Sequence, residues 1–195
     1  MKTKLTTLAA ILLILTLSTT GCNKRSECEC QNQNKDIATI KMMISAIRPS
    51  ERTLMTELTS VKYENSILEL DFPAFIPDEY LGVYFWYNAD NIIPGGVVIS
   101  DPQVKVGKMG IHAYNDKGCE IGGFFLDNAE WWNAEYIYVD RNFTIKGTTS
   151  HGYVFDCSFE KGWNIRYHNP LKRIYTTQKP ESVIFKWRYA EIGFQ

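Results

Sequence analysis

The sequence predicts an all-β domain, an antiparallel β-sandwich or barrel built from hairpins, with one short N-terminal helix. Three observations predict it. Phe, Trp and Tyr supply 10, 5 and 11 residues of the 195 and lie beyond position 62, and aromatic and β-branched side chains suit a pleated, half-buried surface. From about residue 58 the apolar period is two, the pattern of strands with one wet face. The loops Asp116-Lys117-Gly118, Asp140-Arg141-Asn142 and Glu160-Lys161-Gly162 each join two type I turn residues to one that tolerates a left-handed backbone, the design of a three-residue hairpin.

The helix is predicted over about 36–48. Asp36 can cap it, Ile37, Ile40, Ile44 and Ile47 fall at helical spacing, and Pro49 stops it. Glu64-Asn65 offers a fourth hairpin. Parity then assigns faces, because neighbouring strand residues point to opposite sides. Tyr153, Phe155, Cys157 and Phe159 share one face. Trp163, Ile165 and Tyr167 oppose Asn164, Arg166 and His168, and Val183, Phe185, Trp187 and Tyr189 alternate with Ile184, Lys186 and Arg188. Tyr136-Ile137-Tyr138-Val139 is apolar on both faces and marks a central strand. Gly122-Gly123 interrupts its strand and marks a bend or bulge.

The N-terminus has a different character. Lys2 and Lys4 precede an apolar or hydroxylated run from Leu5 to Leu17, and Thr19-Thr20-Gly21-Cys22 follows. A basic segment, a short apolar segment and a small residue before the cut describe a secretory signal peptide over 1–21. The run is too short for a membrane span, which needs about 20 apolar residues. Residues 22–35 are polar and aperiodic, so they read as a tether, leaving 36–195 as one β-rich domain. Losing 1–21 removes two of the 21 basic residues and none of the 22 acidic ones, so the mature chain is mildly acidic. With no basic stripe, nucleic acid is excluded as an expected partner.

Gly21-Cys22 resembles the lipobox of bacterial lipoproteins, with Thr19 where the family usually has an aliphatic residue. Relaxed versions occur among lipoproteins of Bacteroidota. The resemblance implies lipidation of Cys22, and multiple acyl chains give stable anchoring. Asn23 in place of an inner-membrane retention aspartate implies the outer membrane. The basic-first run Asn23-Lys24-Arg25-Ser26-Glu27 favours its periplasmic face over the cell surface. Phe159-Glu160-Lys161-Gly162-Trp163-Asn164, after Ile145-Lys146-Gly147-Thr148, resembles the β-sandwich or barrel domains of uncharacterised Bacteroidota lipoproteins, which implies a fold class and no activity.

Four further cysteines remain. Parity places Cys119 with Ile121 and Phe125, and Cys157 with Phe155 and Phe159, so both are expected to face the core. They are either a disulfide, if their Cα atoms come within about 7 Å, or two buried thiols. Cys28 and Cys30 are too close for an unstrained bridge, and no His or second Cys pair completes a metal site.

Catalytic strings for zinc peptidases, serine hydrolases and nucleotide binding are missing from the sequence, so no enzyme, no cofactor and no metal is expected. Ser150-His151 reads as a turn, and His112 and His168 fall on polar strand faces. The sharpest candidate is Asp127-Asn128-Ala129-Glu130-Trp131-Trp132-Asn133. Two adjacent tryptophans cannot both face one core in an extended segment, and an indole beside Asp127 and Asn128 suits sugar stacking. Trp86 in Val83–Asn88 is a second candidate by the same reasoning. Three functions are consistent with these residues. The first is a non-catalytic envelope lipoprotein holding a protein partner or envelope component. The second is a glycan-binding module on Trp131/Trp132. The third is a small apolar ligand carrier whose cavity is lined by Phe155, Trp163 and Trp187.

Overall fold

A computed structural model describes residues 37–46, 54–64, 68, 70–83 and 96–191. The signal peptide, Cys22, the tether with Cys28 and Cys30, Trp86, and the Asn65 side of the fourth hairpin lie outside the described residues. The described chain is nearly all β. Its strands are β1 (Thr39–Ala46), β2 (Leu54–Lys62), β3 (Gly82–Val83), β4 (Val98–Ile99), β5 (Lys105–Tyr114) and β6 (Glu120–Asp127). They continue with β7 (Asn133–Val139), β8 (Phe143–Thr148), β9 (Val154–Phe159), β10 (Gly162–Asn169), β11 (Ile174–Thr176) and β12 (Lys186–Glu191). The one helical element described is a single 3-10 turn at Asp78–Tyr80.

The predicted helix is a strand. β1 buries Ile40, Met42, Ile44 and Ala46 and turns Thr39, Lys41, Met43 and Ser45 the other way. Ile40 and Ile44, four apart, satisfy a helical stripe and a two-residue period alike. Pairing of β1 on both edges, with β2 and with β5, decides for the strand.

One sheet runs β2-β1-β5-β6-β7-β10-β11-β9-β8-β4, with β12 on β6 and β3 on β5. All pairs are antiparallel except β9 with β11, which is parallel. Two of the three turn motifs do not close hairpins. Asp116-Lys117-Gly118 joins the paired strands β5 and β6. Asp140-Arg141-Asn142, by contrast, leads from β7 to β8, which pairs with β9 and β4. Glu160-Lys161-Gly162 leads from β9 to β10, with β11 lying between them. Asn142 Oδ1 accepts the Lys161 amide at 2.8 Å, which ties these two corners together.

The sheet curls so that β7 carries a core on each face. Tyr136, with Phe72, Ile111, Phe124, Trp187 and others, packs the first core. Ile137 and Val139 pack the second with Phe143, Ile145, Phe155 and Cys157. This is the strand that the sequence marks as apolar on both sides. β12 closes the first core, where Trp187 stacks on Tyr136 with ring centroids 6.3 Å apart.

Cys119 and Cys157 are both free thiols. Cys119 is exposed, against expectation. It lies in the turn before β6, where its amide donates to Asn115 Oδ1 at 2.9 Å, and Phe125, assigned to the same face, is itself 55% exposed. Cys157 is buried in the second core, and burial pushes its thiol up to about 11.

Candidate functional site

Strand register builds a fork in the sheet. β5 pairs with β7 from Val106↔Val139 to Lys108↔Ile137, then leaves it and pairs with β6 from Ile111↔Phe124 to Tyr114↔Glu120. β6 and β7 meet only at Leu126↔Ala134 and Asp127↔Asn133. Gly110, Phe125 and Glu135 thus sit where the three ladders part. A cleft of about 650 Å³ opens there, lined among others by Met43, Met55, His112, Phe125, Glu135 and His168.

Lys108, His112, Glu135 and His168, which line the cleft, share one parity. Directly opposed strand residues lie on the same side, so Arg166↔Glu135 and His168↔Asn133 project as Lys108 and His112 do. Glu135 is the charged centre. Lys108 Nζ lies 2.5 Å from its Oε1, and Arg166 donates from Nε to Oε2 at 3.1 Å. The Glu135 and Arg166 side chains are only 14% and 11% exposed, whereas Lys108 is 54% exposed. Burial alone would raise the Glu135 pKa, but Arg166 and Lys108 outweigh it and hold it at about 2. Next to them His168 stacks on Tyr175 at 5.3 Å. Burial holds its pKa below the ordinary histidine value, and its buried Nδ1 has no hydrogen-bond partner.

His112 and Glu120 line the other half of the cleft. His112 Nδ1 lies 2.7 Å from Glu120 Oε1. Its ring lies across Gly110, where a Cβ would come within 2.6 Å of Nε2. Phe125 lies beside Gly123, where a Cβ would meet the ring at 3.6 Å. Gly110 thus makes room for the His112 ring, whereas a Cβ at Gly123 would meet the Ile111 carbonyl oxygen at 3.0 Å and only touch Phe125.

The sequence-predicted loop is divided. Trp131 is 62% exposed and Trp132 7%. Trp132 packs with Ala134, Tyr167 and Val183. Asn128 Oδ1 accepts the amides of Glu130 at 3.0 Å and Trp132 at 2.9 Å, an Asx turn that closes the loop. Trp131 takes φ +65° within it. Asp127 is buried and ion-paired with Arg188, with Nε 2.6 Å from Oδ1. The two polar residues assigned to sugar hydroxyls are therefore committed to the loop and to Arg188, and of the described candidates Trp131 alone keeps a free face. Trp132→Ala is expected to lower stability by about 3–5 kcal/mol and Trp131→Ala by less than about 0.5 kcal/mol, read from urea midpoints.

Phe155, Trp163 and Trp187 do not share a cavity. Phe155 belongs to the second core, Trp163 packs against the first and donates Nε1–H to the Pro73 carbonyl at 2.8 Å, and of the three Trp187 alone lines the cleft.

Sequence reasoning missed Lys108, Glu135 and Arg166. Each stands on the polar side of its strand, where parity alone assigns water. The available signal was that β7 is apolar on both faces, which puts the polar side of its neighbour β10 under cover as well. Among the described residues no group of three His, Cys, Asp or Glu is placed to hold a metal ion. Comparison with protein-family models, with curated proteins and with solved structures found no match to this chain.

Proposed function

We propose that this chain is a non-catalytic envelope lipoprotein, anchored to the outer membrane through Cys22, whose β domain is a binding module. The cleft at the fork of β5, β6 and β7 is its ligand seat. The observation that carries this reading is the cleft itself, an opening of about 650 Å³, within the range of small-molecule sites. Its rim exposes Met55 and Phe125, and its wall holds Lys108 and Glu135, the latter paired with Arg166.

Two arms test it. Labelled palmitate should enter the wild-type chain and be absent from Cys22→Ala; equal labelling rejects the anchor. The fluorescent probe anilinonaphthalene sulfonate should bind the folded chain at one site, with energy transfer from Trp187. Phe125→Ala should weaken it about tenfold, the effect of removing much of one buried aromatic face. No saturable binding, or none that depends on Phe125, rejects the cleft. The glycan reading rests on the exposed face of Trp131. It requires a polysaccharide titration signal that Trp131→Ala abolishes.

A further inference from the structure

The outer half of the cleft carries a side-chain set that polar-motif searches pass over. Met43 is directly opposite Gly110 across β1 and β5, so its Cβ lies about 5 Å from the place a Gly110 side chain would occupy. The His112 ring fills that place, with Nε2 2.6 Å from the position of the missing Cβ. Met55 is opposite Ser45 on β2, hence diagonal to Met43 on the same face, within reach of a long side chain. Met43, Met55 and His112 all line the one cleft.

The chemistry of this trio is specific. Glu120 holds His112 Nδ1 at 2.7 Å, which places the proton on Nδ1 and leaves the Nε2 lone pair free. A carboxylate behind an imidazole is the arrangement that orients a histidine toward a metal and raises its basicity. The remaining donors are two thioethers, which favour soft cations and bind hard ones poorly. Met55 is exposed, and methionine side chains adapt their reach through three rotatable bonds. Gly110, lacking a side chain, leaves room for the His112 ring beside Met43.

We propose that Met43, Met55 and His112 form a binding site for a soft monovalent cation, Cu(I), with Glu120 as the positioning residue for His112. The assignment uses the cleft of the proposed function and is independent of the anchor.

The test uses the full chain in detergent, with Cys22, Cys28, Cys30 and Cys119 replaced by serine so that these thiols do not compete. Methionine methyl carbons carry 13C, and Cu(I) is added anaerobically with bicinchoninate as competitor. The Met43 and Met55 methyl signals, identified through Met43→Leu and Met55→Leu, should shift together and saturate at one equivalent. The core residue Met42, which does not line the cleft, should not. His112→Gln should weaken binding at least tenfold. So should Gly110→Ala, which removes no donor but drives a methyl into the place of the imidazole. Zn(II) should leave the methyl signals in place. Unmoved Met43 and Met55 signals, undiminished affinity in His112→Gln, or equal response to Zn(II) would each overturn the proposal. The dye-binding arm is read separately, so a cleft that takes the dye but not Cu(I) rejects the metal site alone.

Discussion

Glu135→Ala is expected to destabilise the domain by about 3–5 kcal/mol, the usual cost of leaving a buried charge without its partner. Arg166, only 11% exposed, would keep its guanidinium in a largely dry wall with its main counter-charge gone. Lys108→Ala should cost less than about 1 kcal/mol, because its ammonium is half in water. Replacing Glu135 and Arg166 together by leucine and methionine should recover much of the loss. Chemical unfolding of the four proteins measures all of this. A loss below 1 kcal/mol in Glu135→Ala would mean that water reaches Arg166 freely.

The same carboxylate sets the acid limb of stability. Its folded pKa is about 2 against an ordinary 4.5, so its contribution is full above about pH 4.5 and is lost as pH falls toward 2. Two and a half pKa units correspond to about 3 kcal/mol. Burial of His168 acts in the same direction but starts earlier. Its folded pKa lies below 6.5, so the unfolded chain binds more protons and stability begins to fall below about pH 6.5. Urea midpoints from pH 7 to pH 3 should therefore decline in two stages. Glu135→Gln should remove the lower stage and His168→Phe the upper one.

Trp187→Ala is expected to cost about 3–5 kcal/mol, and the loss should be local as well as global. Trp187 is the main apolar tie of β12 to the first core, stacked on Tyr136 and flanked by Tyr189, which packs on Phe124 at 5.4 Å. Among the described residues β12 pairs with β6 alone, so its amides have no second described ladder to hold them. Hydrogen exchange at Lys186–Glu191 should accelerate more than in β7, which is paired on both edges. Uniform acceleration across the sheet would mean that β12 and β7 unfold as one unit.

Much of the strand structure is legible along the chain. Phe155, Cys157 and Phe159 bury while Val154, Asp156 and Ser158 do not. Val183, Trp187 and Tyr189 are buried where Ile184, Lys186 and Arg188 are exposed. Side-chain parity is a local property of extended backbone, so a single strand suffices to read it. Turn chemistry is local in the same way, which is why the positions of Asp140-Arg141-Asn142 and Glu160-Lys161-Gly162 were legible and their partners were not. A chain that turns back beside its strand and one that crosses to another layer use the same residues.

The sequence by itself therefore determined the all-β class, the faces of most strands, the central place of Tyr136–Val139 and the turn positions. Only the tertiary structure decided that residues 39–46 extend, because two ladders outweigh a four-residue spacing that fits either form. It alone decided that Asp127 pairs with Arg188 and that Cys119 faces water. It also decided that Lys108, Glu135 and Arg166 meet at a fork. That meeting depends on the relative register of β5, β7 and β10, and register is set by long-range packing rather than by neighbours along the chain.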